Sequence, residues 1–513
     1  MVMTSKMGSS TQPKAKEVLK AGAVVSLSLI VRRILTFLSG VVIAPAIGPA
    51  GYGLFVLCRD LCQTGSTFCR SGFPIGVIRK VRENEGKPLL QSSYIVHAFY
   101  ISGAISLLLM LFAWFWGENY LATNVYHDER FSSIFRVMVL LVPLLTFFEL
   151  FGGCYRAYFK VQKSSIAINI IQPSTRLLLI LFLFTFSVDL RGVIWGTLLS
   201  YLLTICYLLY DSRKWLLTKI LSPKHLPKIN ISRFWGYSFV IAITGLLTQL
   251  LDKIDIFMIG YFNGSEELGK YAIIKLAVPV IILFNGAFNS LLGATIAALA
   301  ADKNYKAMAH TMRQHSRWMV ICSFPLFLIF SIWGKDLFLV FGKAFTLPTA
   351  AIVLLSAGQL TIALFSSVGF ALSMTKNYKA ELPTSLLGLF INVCLNYVLI
   401  PKYGIIGAAT ATLIALLTAN IFRMFIVCKL YNFFPFDRWV VPPLLLSFAS
   451  VLDVWYLRNW LGDSTITGAV IASCFFFFLY ILLMYFFGLN SSDKILSRVI
   501  IKKLRNKITF ASL

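Results

Sequence analysis

Apolar runs of about 18 residues or more, separated by short polar stretches, follow one another along nearly the whole chain. A run of that length crosses a hydrocarbon core of roughly 30 Å as an α-helix. The pattern predicts about fourteen such helices. Six have cores at 21–44, 53–78, 91–116, 132–152, 165–187 and 190–211. A second six lie at 234–260, 270–298, 317–341, 347–374, 383–400 and 404–428, and two more at 440–457 and 466–488. The short alternating segments of a membrane β-barrel are not visible. The expected fold class is therefore all-α, a polytopic membrane protein.

Turn signals repeat along these runs. "GPAGYGLFVL" (Gly48–Leu57) opens the second helix and "GSEELGKYAI" (Gly264–Ile273) the eighth, with Gly53 and Gly269 216 residues apart. "LRGVIWGTLLSYLL" (Leu190–Leu203) opens the sixth and "KYGIIGAATATLIA" (Lys402–Ala415) the twelfth, with Gly192 and Gly404 212 apart. Two six-helix lobes in parallel repeat are expected, at 1–211 and 234–435, an arrangement that transporters use around a central substrate site. A basic linker (212–233) joins them. Two extra helices (436–490) and a basic tail (491–513) complete the chain.

Composition agrees with this picture. The chain of 513 residues is 58% hydrophobic and only 13% charged, with mean hydropathy +0.78. A soluble protein would carry about twice that charged fraction. The first twenty residues are polar, so the first helix is expected to act as its own insertion signal. With the N-terminus placed inside, 32 of the 47 Lys and Arg fall in inner segments and 7 in outer loops. That asymmetry predicts cytoplasmic N- and C-termini, in the plasma membrane of a bacterial or archaeal cell. It also accounts for the net charge of +26 without nucleic acid, since these charges face anionic lipid headgroups. Nine cysteines and five histidines show no metal-ligand spacing, so neither cofactor nor metal is expected.

Eight cations remain inside the spans: Arg32, Arg33, Arg59, Arg70, Arg136, Arg176, Lys253 and Lys275. The acids Asp60, Glu149, Asp252, Asp255 and Asp453 accompany them. A central arginine costs roughly 2.5–3.5 kcal/mol on insertion scales, so it has to face protein, water or a ligand. Arg59, Gln63, Ser66 and Arg70 fall on one helical face, as do Ser28, Arg32, Thr36 and Ser39. Thr244, Thr248, Asp252 and Asp255 form a third stripe. These stripes suggest the wall of a cavity in which cations exceed acids, a place for an anion. The alternatives are structural: Arg136, Glu149 and Lys275 sit near span ends and can reach the interface. Arg59 can pair with Asp60, and Asp252, Lys253 and Asp255 can form an ion cluster.

At this point the chain resembles a known family. The embedded arginines, "IGPAGYGLF", "IRKVRENEG", "DKIDIFMIGYF" with "EELGKYAI", and "PKYGIIGAATAT" are similar to the polysaccharide-transport branch of the MATE-like flippase superfamily. The resemblance covers nearly the whole chain. It implies alternating-access flipping of a lipid-linked oligosaccharide, a glycan on a polyprenyl phosphate or pyrophosphate. It also implies cavity cations at Arg32 or Arg33, Arg59 and Lys275. The substrate-binding candidates are thus Arg32, Arg33, Arg59, Arg70, Arg176, Lys253 and Lys275. Candidates for a coupling Na⁺ or proton are Asp252, Asp255 and Asp60, with a purely structural role as the rival. The expected partners are the polyprenyl-linked oligosaccharide and membrane lipids, with glycan polymerases or ligases as further candidates, and the working unit is a monomer. A multidrug exporter of the same superfamily would want an acidic or aromatic cavity. A membrane polymerase or ligase would want a large outer loop, whereas the longest one expected, Gly117 to Phe131, is short.

Overall fold

The structure, a computed structural model, describes residues 15–217, 227, 229–375, 380–461 and 466–488. The expected basic tail, the middle of the linker and the side chain of Asp453 lie outside these. In chain order the N-terminal helices are α1 (Ala15–Arg70), α2 (Phe73–Glu83), α3 (Pro88–Phe112), α4 (Glu129–Met138) and α5 (Leu141–Ala157). Next are α6 (Val161–Ile166), α7 (Gln172–Phe184), α8 (Leu190–Ser212) and α9 (Ile231–Ala277). The rest are α10 (Asn285–Ala301), α11 (Tyr305–Leu337), α12 (Thr349–Ser373), α13 (Glu381–Tyr431), α14 (Val441–Leu461) and α15 (Ile466–Leu483). Among the described residues there is no strand. Hydrocarbon offers backbone groups no partner, so each helix bonds its own.

Among the described residues ten helical segments are long and apolar enough to cross a membrane. Three of them, α1, α9 and α13, break at Gly48, Gly264 and Gly404 and so supply two arms each. With α14, whose shorter apolar stretch completes the set, the described residues hold the fourteen segments that hydropathy predicts. Gly48 has φ 70° and ψ 174°, and Gly264 φ 79° and ψ −177°, a region essentially reserved for glycine. Pro49 enforces the first break, because its ring disfavours helix at the residue before it and suits the first turn of a new arm. The two breaks share one geometry at the 216-residue offset of the sequence repeat. The other repeat pair matches less well. Gly404 breaks α13 at φ 54°, whereas Gly192 lies inside α8, behind an Asp189 cap that accepts from its N–H at 2.9 Å.

One expectation needs correcting. The loop predicted at 117–131 is mostly helix, because α3 runs on through π-helical turns at Ala113–Gly117 and Leu121–Val125. Only 126–128 separate it from α4. Glu118, which read as a loop residue, is fully buried and grips Arg136.

Two compact units emerge, Met1–Ile273 with Ile400–Ile405, and Ile274–Leu399 with Ile406–Leu513. The first has a core that includes Phe73, Val77, Ile95, Phe151, Tyr155 and Phe234. The second has one cluster around Met308, Met312 and Val368 and another around Val320, Trp333 and Phe476. Tyr480 of α15 donates to the Ile321 carbonyl of α11 at 3.0 Å.

Within the first unit, the second arm of α1 and the first arm of α9 run side by side along their length. Lipid tails are as apolar as leucine, so close packing and polar contacts rather than hydrocarbon burial must hold such a pair. Small residues allow it at both ends. A Cβ on Gly53 would stand 1.8 Å from the Ser265 carbonyl oxygen, and one on Gly269 would stand 1.9 Å from that of Pro49. Pro49 and Ser265 are themselves repeat mates, so the two related turns meet reciprocally. At the other end a Cβ on Gly72 would lie 2.0 Å from the Ser238 carbonyl oxygen. Between them, Gln249 meets Thr67 at 2.5 Å and Thr64 at 3.4 Å.

Candidate functional site: a cationic wall on α1, α7 and α9

Arg32 lies on the first arm of α1 and is exposed. Its Nη1 donates to Asn169 Oδ1 at 3.5 Å, and Asn169 Nδ2 in turn donates to Ser28 Oγ at 3.0 Å. Asn169 and Ser28 are both buried, so they steer the guanidinium without neutralising it. Asn169 sits in a π-helical stretch, Ala167–Ile171, just ahead of α7. Arg33, beside Arg32, is half-buried.

Arg176, one turn into α7, is 9% exposed, and its Nε has no hydrogen-bond partner among the described residues. The charges of Arg59 and Arg32 act on it, and Tyr52 and Tyr201 stand close enough to contribute. Among the described residues neither Arg32 nor Arg176 has an ion-pairing carboxylate. Two guanidiniums in one neighbourhood with no counter-charge are costly in a membrane protein unless a ligand or water meets them.

Arg59 differs. Its Nε donates to Asp60 Oδ1 at 2.9 Å, and its guanidinium carbon sits 5.7 Å from the centre of the Phe55 ring. Asp60 is fully buried and also holds Lys253 of α9 at 3.1 Å. Lys253 reaches Asp252 at 3.4 Å, whose side chain is 64% exposed. One buried carboxylate thus ties two cations together across the α1–α9 contact. Asp255 is buried in another way: Tyr271 donates to it at 2.5 Å and the Ile256 N–H at 2.9 Å. Arg70, towards the Gly72 end, is half-buried, lies 3.6 Å from Glu149 and donates to Thr67 and to the Ser66 carbonyl. Lys275 is half-buried on the part of α9 that belongs to the second unit.

The structure therefore gathers Arg32, Arg59 and Arg176 and sets Lys253 on the Asp60 carboxylate. Asp252 is open to solvent and Asp255 enclosed. Asn169, Tyr52 and Gln249 fall outside the stripes that the sequence picks out, which were built around charged residues. An amide or hydroxyl inside an apolar run carries a desolvation cost of its own and was the available signal. At the far end of the helix pair, Asp128 accepts from Arg130 and from Ser265, at 2.9 and 3.1 Å. Burial disfavours its charged form, but the Arg130 side chain and N–H more than offset that and hold the carboxyl below its ordinary range.

Comparison with known proteins places the chain. The family described as "Polysaccharide biosynthesis protein" matches residues 18–297, and the MatE family matches 241–399. An uncharacterized membrane protein of Methanocaldococcus jannaschii is 23% identical over 474 residues, 87% of this chain and 91% of the relative. A probable low-salt glycan biosynthesis flippase of Haloferax volcanii is 20% identical over 228 residues, 44% of this chain and 47% of that protein. Among solved structures, an inward closed lipid II flippase, MurJ, superposes with TM-score 0.72 at 14% identity, covering 91% of this chain and 98% of the other. An inward-facing multidrug resistance MATE transporter gives 0.67 at 13% identity, covering 80% and 98%. Fold and family agree: the chain belongs to the polysaccharide biosynthesis protein family, in the MATE-like superfamily of polytopic all-α membrane proteins.

Proposed function

We propose that the protein flips a lipid-linked oligosaccharide across the plasma membrane by alternating access, for assembly of cell-surface polysaccharide. The observation that carries this reading is the pair Arg32 and Arg176, gathered near Arg59 and, among the described residues, with no carboxylate of their own. A phosphate or pyrophosphate headgroup supplies the missing charge, and guanidinium forks match its oxygens. Family membership and the flippase names of two similar proteins support it. The two six-helix lobes would rock about the headgroup while the tail stays in the bilayer. A wall richer in cations than in acids disfavours the exporter of cationic drugs. The test is reconstitution into vesicles with a fluorescent polyprenyl-diphosphate oligosaccharide and a membrane-impermeant quencher. Label should cross only in vesicles holding the protein. Transport of cationic dyes with none of the lipid-linked glycan would overturn the reading.

Coupling follows from the acids. Asp252 is the residue open to a Na⁺ ion or proton, whereas Asp255 is enclosed by Tyr271. Asp252→Asn is expected to abolish the dependence of flipping on an ion gradient while headgroup binding survives. Asp255→Asn should instead lower thermal stability. Flipping by the unmodified protein that ignores both Na⁺ and proton gradients would remove this role. For orientation, reporters at Gly86 and at the C-terminus should both read cytoplasm, and one at Asp128 the opposite side.

A further inference from the structure

The side of α1 that faces away from the arginines carries an apolar hollow. A groove of about 520 Å³ opens there, between the second arm of α1, α3 with its π-helical extension, and the α4–α5 segment. Its wall includes Cys62, Gly65, Leu109, Trp116, Phe135 and Val142. It is apolar throughout, and Trp116 and Phe112 stand open beside it, 74% and 60% exposed. The π turns of α3 widen the helix here, a distortion that often marks functional sites.

The rim of the groove is charged. Glu118, between the lining residues Gly117 and Tyr120, is buried and accepts from Nε and Nη2 of Arg136, which neighbours Phe135. That edge-on grip leaves Nη1 on the opposite edge of the fork, on a side chain 53% exposed. Asn119 and Ser132, 3.4 Å apart, extend the polar rim. The pair lies within three turns of the 126–128 break, where α3 and α4 end, a depth suited to a headgroup. An apolar groove with a half-satisfied arginine at its mouth has the chemistry of a phospholipid site: acyl chain below, phosphate on the fork.

We infer that this groove holds a resident anionic phospholipid, with its phosphate on Arg136 and an acyl chain against Trp116 and Gly65. The transported lipid is the less fitting occupant, because Leu61, Cys62 and Gly65 turn to a different side of α1 from Arg59, Ser66 and Arg70. A chain seated there would brace the arm that carries Arg59 and Asp60. The inference stands whichever lipid the protein carries.

The test uses the full chain in phosphatidylcholine vesicles, with brominated-chain phosphatidylglycerol or brominated-chain phosphatidylcholine at equal low fraction. The fluorescence lost on Trp116→Phe isolates the reporter. Brominated phosphatidylglycerol should quench that component as though enriched roughly fivefold over the bulk. The Glu118→Gln, Arg136→Gln double variant keeps a hydrogen-bonded pair while removing both charges. It should bring quenching down to the phosphatidylcholine level. Ala113→Phe, which fills the groove and leaves the pair intact, should do the same. Equal quenching by both brominated lipids in the unmodified protein would overturn the inference, as would an excess that survives in both variants. So would full displacement of phosphatidylglycerol by an equimolar polyprenyl phosphate, which would hand the groove to the transported lipid.

Discussion

Arg176→Ala and Arg32→Ala are each expected to lower flipping of a lipid-linked glycan by roughly 30-fold or more, the cost of losing one desolvated charge contact. Their melting temperatures in detergent should stay level or rise. The reason lies in the partners each leaves behind. Among the described residues neither guanidinium is held by a carboxylate and Arg176 Nε has no acceptor, so alanine strands no acid there. Arg59→Ala provides the contrast. It leaves Asp60 fully buried with Lys253 alone, and stability should fall by about 3 kcal/mol because breaking a buried pair exposes the full desolvation cost. Flipping by that variant should then follow the amount of folded protein. Lysine at position 32 or 176 should recover only part of the activity, since it keeps the charge but not the planar fork. Arg33 belongs in the same series, and the Arg32→Ala, Arg33→Ala double variant should be nearly inactive. Normal flipping by that double variant or by Arg176→Ala would remove the headgroup site from this wall.

How far sequence reached into this site depends on the kind of force at work. Hydropathy reports depth in the membrane, so the fourteen segments and the abundance of mid-membrane cations were readable from run length alone. The two matching turns were readable because glycine is required both at the Gly48 and Gly264 breaks and at the Gly53–Gly269 approach, and glycine leaves a mark in the sequence. Of the pairing, only the Arg59–Asp60 contact between chain neighbours was readable. Nothing in the spacing of Asp60, Arg59 and Lys253 says that one carboxylate serves both cations, because 193 residues separate Asp60 from Lys253 and only the α1–α9 packing joins them. Glu118 was misplaced for a related reason. A charge next to "WFWG" marks the end of an apolar run, yet the helix continues because Arg136 on the next helix meets that charge. Asn169 was overlooked because an uncharged amide barely alters an apolar run, although its bonds to Arg32 and Ser28 set the direction of the arginine.

The reciprocal glycine contact should be the most sensitive mechanical point in the first unit. Gly53→Ala places a methyl 1.8 Å from the Ser265 carbonyl oxygen, and Gly269→Ala places one 1.9 Å from that of Pro49. Real contacts to a Cβ never come so near, and both obstacles are backbone, which cannot rotate away as a side chain would. The two turns must part, costing about 1–3 kcal/mol or more by the usual scale of overpacking. Both variants are therefore expected to melt at lower temperature and to flip substrate poorly, and the pair should be non-additive because one separation relieves both clashes. Gly48→Ala should fail for a different reason. It meets no atom within 4 Å, so its penalty is purely the strained φ of 70°, and the helix contact beside it stays closed. Gly245→Ala on α9 is the control, with open space around it and a helical backbone, and it should leave stability equal or slightly raised. Thermal melts and vesicle flipping on these four variants and the Gly53–Gly269 double separate the effects. If Gly53→Ala and Gly269→Ala behaved like Gly245→Ala, the close approach of the repeat-related turns would not be a feature of the working protein.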